Sequence, residues 1–156
     1  MPKITPNLWF DDNAMEAAEF YVSVFPNSAI GDIVHSTDAG PGVAGTVLTV
    51  EFTLDGQSVI GINGGPAFQF DEAISLQIDC ADQAEVDYYW DALTADGGEE
   101  SQCGWLNDKY GLSWQVVPVG MIEVFKDPAR AERAMSAMFT MTKLDLAALL
   151  AAADGA

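Results

Sequence analysis

Residues 8–21 and 76–89 carry the same pattern twice, and this internal repeat constrains the fold more than any other feature of the chain. Overlaid at an offset of 68, Leu8 meets Leu76, Phe10 meets Ile78, Asp11 meets Asp79, Glu19 meets Asp87, and Phe20–Tyr21 meets Tyr88–Tyr89. Each copy runs from an apolar alternating segment through an Asp into a helical segment with an aromatic pair. A chain of this kind folds as two related supersecondary units.

Local signals fill in the rest of each unit. Residues 3–10 form a first strand, with Ile4, Leu8 and Phe10 at even spacing. Asp12 or Asn13 caps a helix over 14–25 that ends at Pro26. Residues 29–37 alternate as a strand and lead into a Gly/Pro-rich loop over 38–45. The segments TVLTVEFTL (46–54) and QSVIGIN (57–63) flank Asp55–Gly56, a type I′ hairpin signal. After a loop over 64–72, residues 73–80 make a strand and Asp82 caps a helix over 83–95 that stops at Gly97–Gly98. Strands follow over 99–106 and 111–118, with a shorter or broken strand expected in this half. From Met121 to Ala156 the chain is Ala- and Met-rich and helical, and Asp127–Pro128 opens a new helix.

The expected fold class is therefore α+β. Two β-α-β-β-β modules, about 3–66 and 72–118, precede a helical tail at about 119–153, all within one domain over 1–156.

The charge balance excludes some partners. Lys and Arg total 6 against 24 Asp and Glu, for a net charge of −18. Such an acidic surface repels phosphate backbones and anionic bilayers, so neither nucleic acid nor membrane is expected as a partner. No apolar run approaches the ~20 residues that span a bilayer. The start, MPKITPNLWF, does not read as a signal peptide. With only Cys80 and Cys103 and no C-x-x-C, a reduced, cytoplasmic setting is expected.

Two β-α-β-β-β modules resemble the vicinal-oxygen-chelate (glyoxalase/bleomycin resistance/dioxygenase) superfamily. The motifs ITPNLWFDDNAMEAAEFYVSVFPNS, NGGP at 63–66, EAISLQIDC and GGEESQCGWLNDKYGLSWQVVP resemble its PhnB-like subgroup, which carries the domain label "3-demethylubiquinone-9 3-methyltransferase". The resemblance spans about residues 3–150. It implies cup-shaped mixed sheets around a pocket, a homodimer, and helices of the tail that pack across sheet and dimer. It also implies a divalent ion held by one side chain from the first strand and one from the last strand of each module. By register those positions fall on Thr5, Gly61, Ala73 and Gln115. Neither this set nor its neighbours Ile4, Pro6, Ile60, Ile62, Ile74, Trp114 and Val116 supplies ligands for such an ion. The single histidine, His35, lies on another strand. No divalent metal or other cofactor is therefore expected. S-adenosylmethionine chemistry is equally short of a motif, because no Gly-rich turn joins a strand to a helix.

The candidate pocket residues are Trp9, Asn63, Phe68, Gln77, Cys103, Trp105, Trp114 and Gln115. Trp105 and Trp114 flank a turn and could meet across strands, joined by Trp9 and Phe68 as an aromatic wall or simply as core. Gln77 and Gln115 interrupt apolar strands, and an inward amide needs a hydrogen-bond partner. Cys103 has only Lys109 as a basic neighbour in its segment, which favours a thiol lining a pocket or core over a nucleophile. Asp108 serves the turn, and Asp11 and Asp79 shape strand-to-helix junctions. The expected function is binding of a small organic molecule on this scaffold without the usual metal site. The alternative is an enzyme acting on a small organic substrate, by the labelled methyl transfer or by a metal-dependent lyase, isomerase or dioxygenase-type step.

Overall fold

A computed structural model describes residues 2–156. The chain divides into two compact units, one ending at Phe70 and one spanning Asp71–Ala156. In the first, β1 (Asn7–Phe10), α1 (Ala14–Val24), β2 (Ala29–His35), β3 (Val47–Leu54) and β4 (Gln57–Asn63) form a sheet of order β1-β4-β3-β2 with one helix. In the second, β5 (Leu76–Cys80), α2 (Gln83–Thr94), β6 (Glu99–Glu100), β7 (Trp105–Asn107) and β8 (Ser113–Pro118) give the order β5-β8-β7-β6. Outer strands β1 and β5 run parallel to β4 and β8, and the remaining pairs are antiparallel. The repeat thus becomes two mixed four-stranded sheets of identical topology. The second unit continues into α3 (Val119–Val124), α4 (Pro128–Met138) and α5 (Leu146–Ala153).

Each helix covers one face of its own sheet. On α1, Ala14, Ala17, Ala18 and Tyr21 are buried, as are Val50, Phe52 and Val59 of the strands. Small residues let this helix approach closely: a Cβ added at Gly61 would lie 3.2 Å from both Ala14 Cβ and Val50 Cγ1. On α2, the buried Val86, Tyr89, Trp90 and Leu93 face Leu106, Trp114 and Val116. Asp82 caps α2 by accepting from the Glu85 N–H, as its position implies. At α1 neither Asp12 nor Asn13 does so by side chain; the Ala14 N–H donates instead to Asn63 Oδ1 at 2.8 Å.

The strand expected over 29–37 ends at His35 and that over 46–54 begins at Val47, and four larger differences each have a local reason. The first strand begins at Asn7 and not at residue 3, leaving Ile4 and Thr5 exposed ahead of Pro6, which has no N–H for a ladder. The strand expected from residue 73 begins at Leu76, because Asp71 Oδ1 accepts from the Ala73 N–H and turns the chain. The segment 99–106 is two strands: Cys103 (φ 60°) and Gly104 (φ 85°) are left-handed and reverse the chain between them. The strand expected at 111–118 starts at Ser113, past Gly111 at φ 86°. The Asp55–Gly56 turn has φ values of 48° and 80°, the type I′ signature its sequence announces. Asp127 caps α4 with Pro128 in the first turn, also as expected.

The tail folds onto the second sheet. Val117 packs with Met121, Leu144 and Leu149, while Val124, Ala134 and Ala153 form a small neighbouring cluster. Gln83 fastens it, donating to the Leu144 carbonyl and accepting from the Leu146 N–H. None of the helices among the described residues is long and apolar enough to cross a membrane.

Candidate functional site

Strand pairing sorts the candidates by face. Gln77 on β5, Gln115 on β8 and Trp105 on β7 are direct lateral partners and so share the face away from α2. Their neighbours Ile78, Trp114 and Leu106 are buried on the opposite, helix-covered face. The open face bears a groove of about 500 Å³, walled by Gln77, Gln102, Cys103, Trp105, Gln115 and Val117 and, from the tail, Met121, Ile122, Phe125, Met138 and Phe139. Gln115 Nε2 donates to Ser75 Oγ at 2.9 Å, and Gln77 Nε2 to Asp79 Oδ1 at 2.8 Å. Beyond them, Ser113 Oγ donates to Asn107 Oδ1, whose amide donates to Glu72.

Cys103 reaches the groove because its backbone is held in the left-handed region. Its N–H donates to the Met141 carbonyl at 2.9 Å, and the Gly104 N–H to that of Thr142 at 2.8 Å. At Gly104 a side chain is excluded twice over, by the positive φ and by Leu144, whose Cδ1 would lie 2.9 Å from an added Cβ. No basic side chain lines the groove, so its walls offer Cys103 no general base. Cys80 is a different case: burial, followed by the Glu85 carboxylate, pushes its thiol up to about 12. It is a core residue.

The other candidates lie outside this groove. Trp114 does not meet Trp105; it faces α2, is 2% exposed, and donates from Nε1 to Asp108 Oδ2 at 2.8 Å. Alternation dictates this, because residues 105 and 115 share the open face. Asp108 itself is buried and accepts from the Tyr110 and Leu112 N–H groups as well, the turn role its position implies. Asn63 spends its amide within the fold of the first unit. Its Oδ1 takes the Ala14 N–H and its Nδ2 donates to the Val47 carbonyl, tying β4 to the starts of α1 and β3. Trp9 and Phe68 do come together in the first unit, edge to face at 5.0 Å, with Trp9 Nε1 donating to the Gly65 carbonyl. Asp79 accepts from Gln77 and does not cap the following helix.

The groove-lining residues missed from sequence are Gln102, Val117 and the tail side chains. The available signal is the Met-rich character of the tail, for which the resemblance implies packing across sheet and dimer.

The four positions that the resemblance implies for a divalent ion differ in their surroundings within each unit. Gly61 points its missing side chain at Ala14, Val50 and Phe10 on the helix-covered face, whereas Gln115 lies on an open face. Pairing shows why: Leu8 sits opposite Gly61 and its repeat partner Leu76 opposite Trp114, so the counterpart of Gln115 is Ile62. Ala73 lies in a turn and has no donor atom. Thr5 lines a separate recess of about 420 Å³ in the first unit, with Glu51, Thr53, Gln57 and Ser58. Among the described residues no group of three or more His, Cys, Asp or Glu side chains stands close enough to hold a metal ion. The strand-to-helix junctions, residues 11–13 and 81–82, contain no glycine.

Two mixed sheets of β-α-β-β-β topology, each with its own helix, define the glyoxalase/bleomycin resistance fold of the vicinal-oxygen-chelate superfamily. The chain belongs to the family described as 3-demethylubiquinone-9 3-methyltransferase, whose model matches residues 2–117, the PhnB-like branch of that superfamily. It is 37% identical to the PhnB protein of Bacillus cereus, with a TM-score of 0.68 over 75% of this chain and 99% of that one. A protein from Pseudomonas aeruginosa follows at 19% identity and a TM-score of 0.60, covering 74% and 96%. The fosfomycin resistance protein FosX of Listeria monocytogenes gives 17% and 0.52, covering 75% and 90%. These last two show the fold alone. No curated protein matches the chain.

Proposed function

We propose that the protein binds a small organic molecule on the open face of its second sheet, and does so without a divalent ion. The supporting observation is the groove of about 500 Å³, where three glutamine amides, a thiol and an indole face a wall of methionine, isoleucine and phenylalanine. Small-molecule sites have this make-up: roughly 300–1,000 Å³, mainly apolar, with a few polar groups that orient the ligand. The groove contains no acid–base pair and no nucleophile with its base, so binding or sequestration accounts for it better than turnover.

The test is a thermal-shift screen of small organic compounds on protein stripped with EDTA, repeated with Mn(II), the ion present in one structure of the Listeria protein. Compounds that stabilise the chain should do so equally with and without metal. One tightly held divalent ion per chain by elemental analysis overturns the metal-independent reading. Methyl transfer is the second reading, favoured by the family's description. Stabilisation by S-adenosylmethionine in the same screen would move the conclusion to it.

A further inference from the structure

The family match ends at residue 117, and one wall of the groove is built from residues after that point. Met121 and Ile122 lie on α3, Met138 ends α4, and Phe139 follows it. The tail is anchored through the buried Leu144 and Leu149, with Met121, Phe125 and Met138 packed on them, and through the backbone bonds from Cys103 and Gly104. Phe139 nevertheless keeps 64% of its surface exposed and Ile122 37%, although both line the groove. Their placement there adds little to the fold and does complete a recess.

The recess is also free of charge. None of the side chains that wall it is acidic or basic, in a chain with 24 acids and 6 bases. A charged ligand entering it would give up water and meet no counter-ion. Anions are further opposed by the net charge of −18. For cations the adjacent carboxylate is Asp79, which already accepts from Gln77. The two strand glutamines direct their NH₂ groups to protein acceptors, Gln115 to Ser75 and Gln77 to Asp79, so they offer carbonyl oxygens, beside the exposed amide of Gln102. Trp105 supplies a flat apolar surface beside them.

We infer that the tail segment Met121–Phe139 completes a charge-free groove that selects a neutral aromatic molecule carrying an N–H or O–H donor. This inference rests on the binding function proposed above and adds the ligand class and the segment that sets it.

Benzamide, benzoate and benzamidinium differ in charge and hardly in shape, so they serve as probes on the full chain, read by the Trp105 indole N–H and Met138 methyl resonances. Benzamide should shift both and bind at least ~10-fold more tightly than either ion, the discrimination expected when a charge is desolvated unpaired. The Ile122→Lys variant places a cation on the wall at an already exposed position. It should keep its circular dichroism and gain affinity for benzoate by roughly 10-fold. An ion that binds wild type as tightly as benzamide overturns the neutral class and leaves the proposed binding function standing. An unchanged preference in Ile122→Lys, with the shifts retained, overturns the role of the tail. No shift at Trp105 with any of the three probes overturns the inference together with the reading beneath it.

Discussion

The two halves share one topology and differ in how helix and sheet are spaced. At the position opposite the repeated leucine, the first half has Gly61 against Ala14, and the second has Trp114 beside the buried face of α2. In the first half close approach replaces side-chain volume; in the second a large indole fills the gap and is held by Asp108. The open faces diverge too, with Trp9 and Ile62 where the second half has Gln77 and Gln115. One scaffold thus carries an apolar surface in one half and a polar, groove-forming surface in the other.

The sharpest way to break this comparison is to exchange the spacing residues. Trp114→Ala should cost about 3–5 kcal/mol, since it empties a closed core site. Gly61→Ala should cost about 1–3 kcal/mol by overpacking, because its new methyl would meet Ala14 and Val50 at 3.2 Å. Adding Ala14→Gly should recover part of that loss and should do nothing for Trp114→Ala. Urea midpoints measure all of these, and a neutral Gly61→Ala would remove close approach as the organising feature of the first half.

A second contrast lies in the polar fasteners. Asp108 is buried and receives two backbone N–H groups and the Trp114 indole, whereas Asn63 is half-buried and joins α1, β3 and β4. Asp108→Ala should cost about 2–4 kcal/mol, as three donors, two of them buried, lose their acceptor. Asn63→Ala should cost about 1–2 kcal/mol, in the range of a lost helix cap. The same urea titrations rank them, and the reverse order would show that burial does not decide their worth.

How much of this was legible in the sequence depends on the period of the signal. Alternation and turn chemistry exposed the repeat, the Asp55–Gly56 hairpin and the cap at Asp82, because each is written within a few residues. Between wall and core, Trp114 is core, and spacing from Trp105 cannot decide this because its face depends on strand register, which is fixed by the turn at Asp108. Asn63 read as a pocket amide because its two partners lie 16 and 49 residues away. Gly61 was aligned with Gln115 for the same reason: an offset taken from the first strands does not carry through hairpins of unequal length. The groove's far wall was legible as an apolar stripe but not as part of a site, since only folding brings Met138 beside Cys103.

The two thiols give the finest version of the comparison, core against groove. Cys80 is fully buried and its thiol is pushed up to about 12, so at about pH 8 almost none of it is thiolate. Cys103 is partly exposed at the groove. A disulfide reagent should therefore label one thiol per native chain and two per unfolded chain, with Cys103→Ala abolishing the native signal. Two native equivalents would place Cys80 outside the core. The raised value also sets a pH dependence. The folded thiol resists ionisation more than the unfolded one, whose value is 9.0, so the stability Cys80 contributes is complete below pH 9 and is lost as pH rises toward 12. A Cys80→Ala variant, less stable at neutral pH, should lose less on going to alkaline pH than wild type. At Cys103 the backbone dominates instead. With φ at 60°, Cys103→Gly should stabilise by about 0.5–1 kcal/mol, because glycine adopts this conformation without the cost of a side chain. A loss of stability there would mean that the side chain's contacts in the groove outweigh the strain of its backbone.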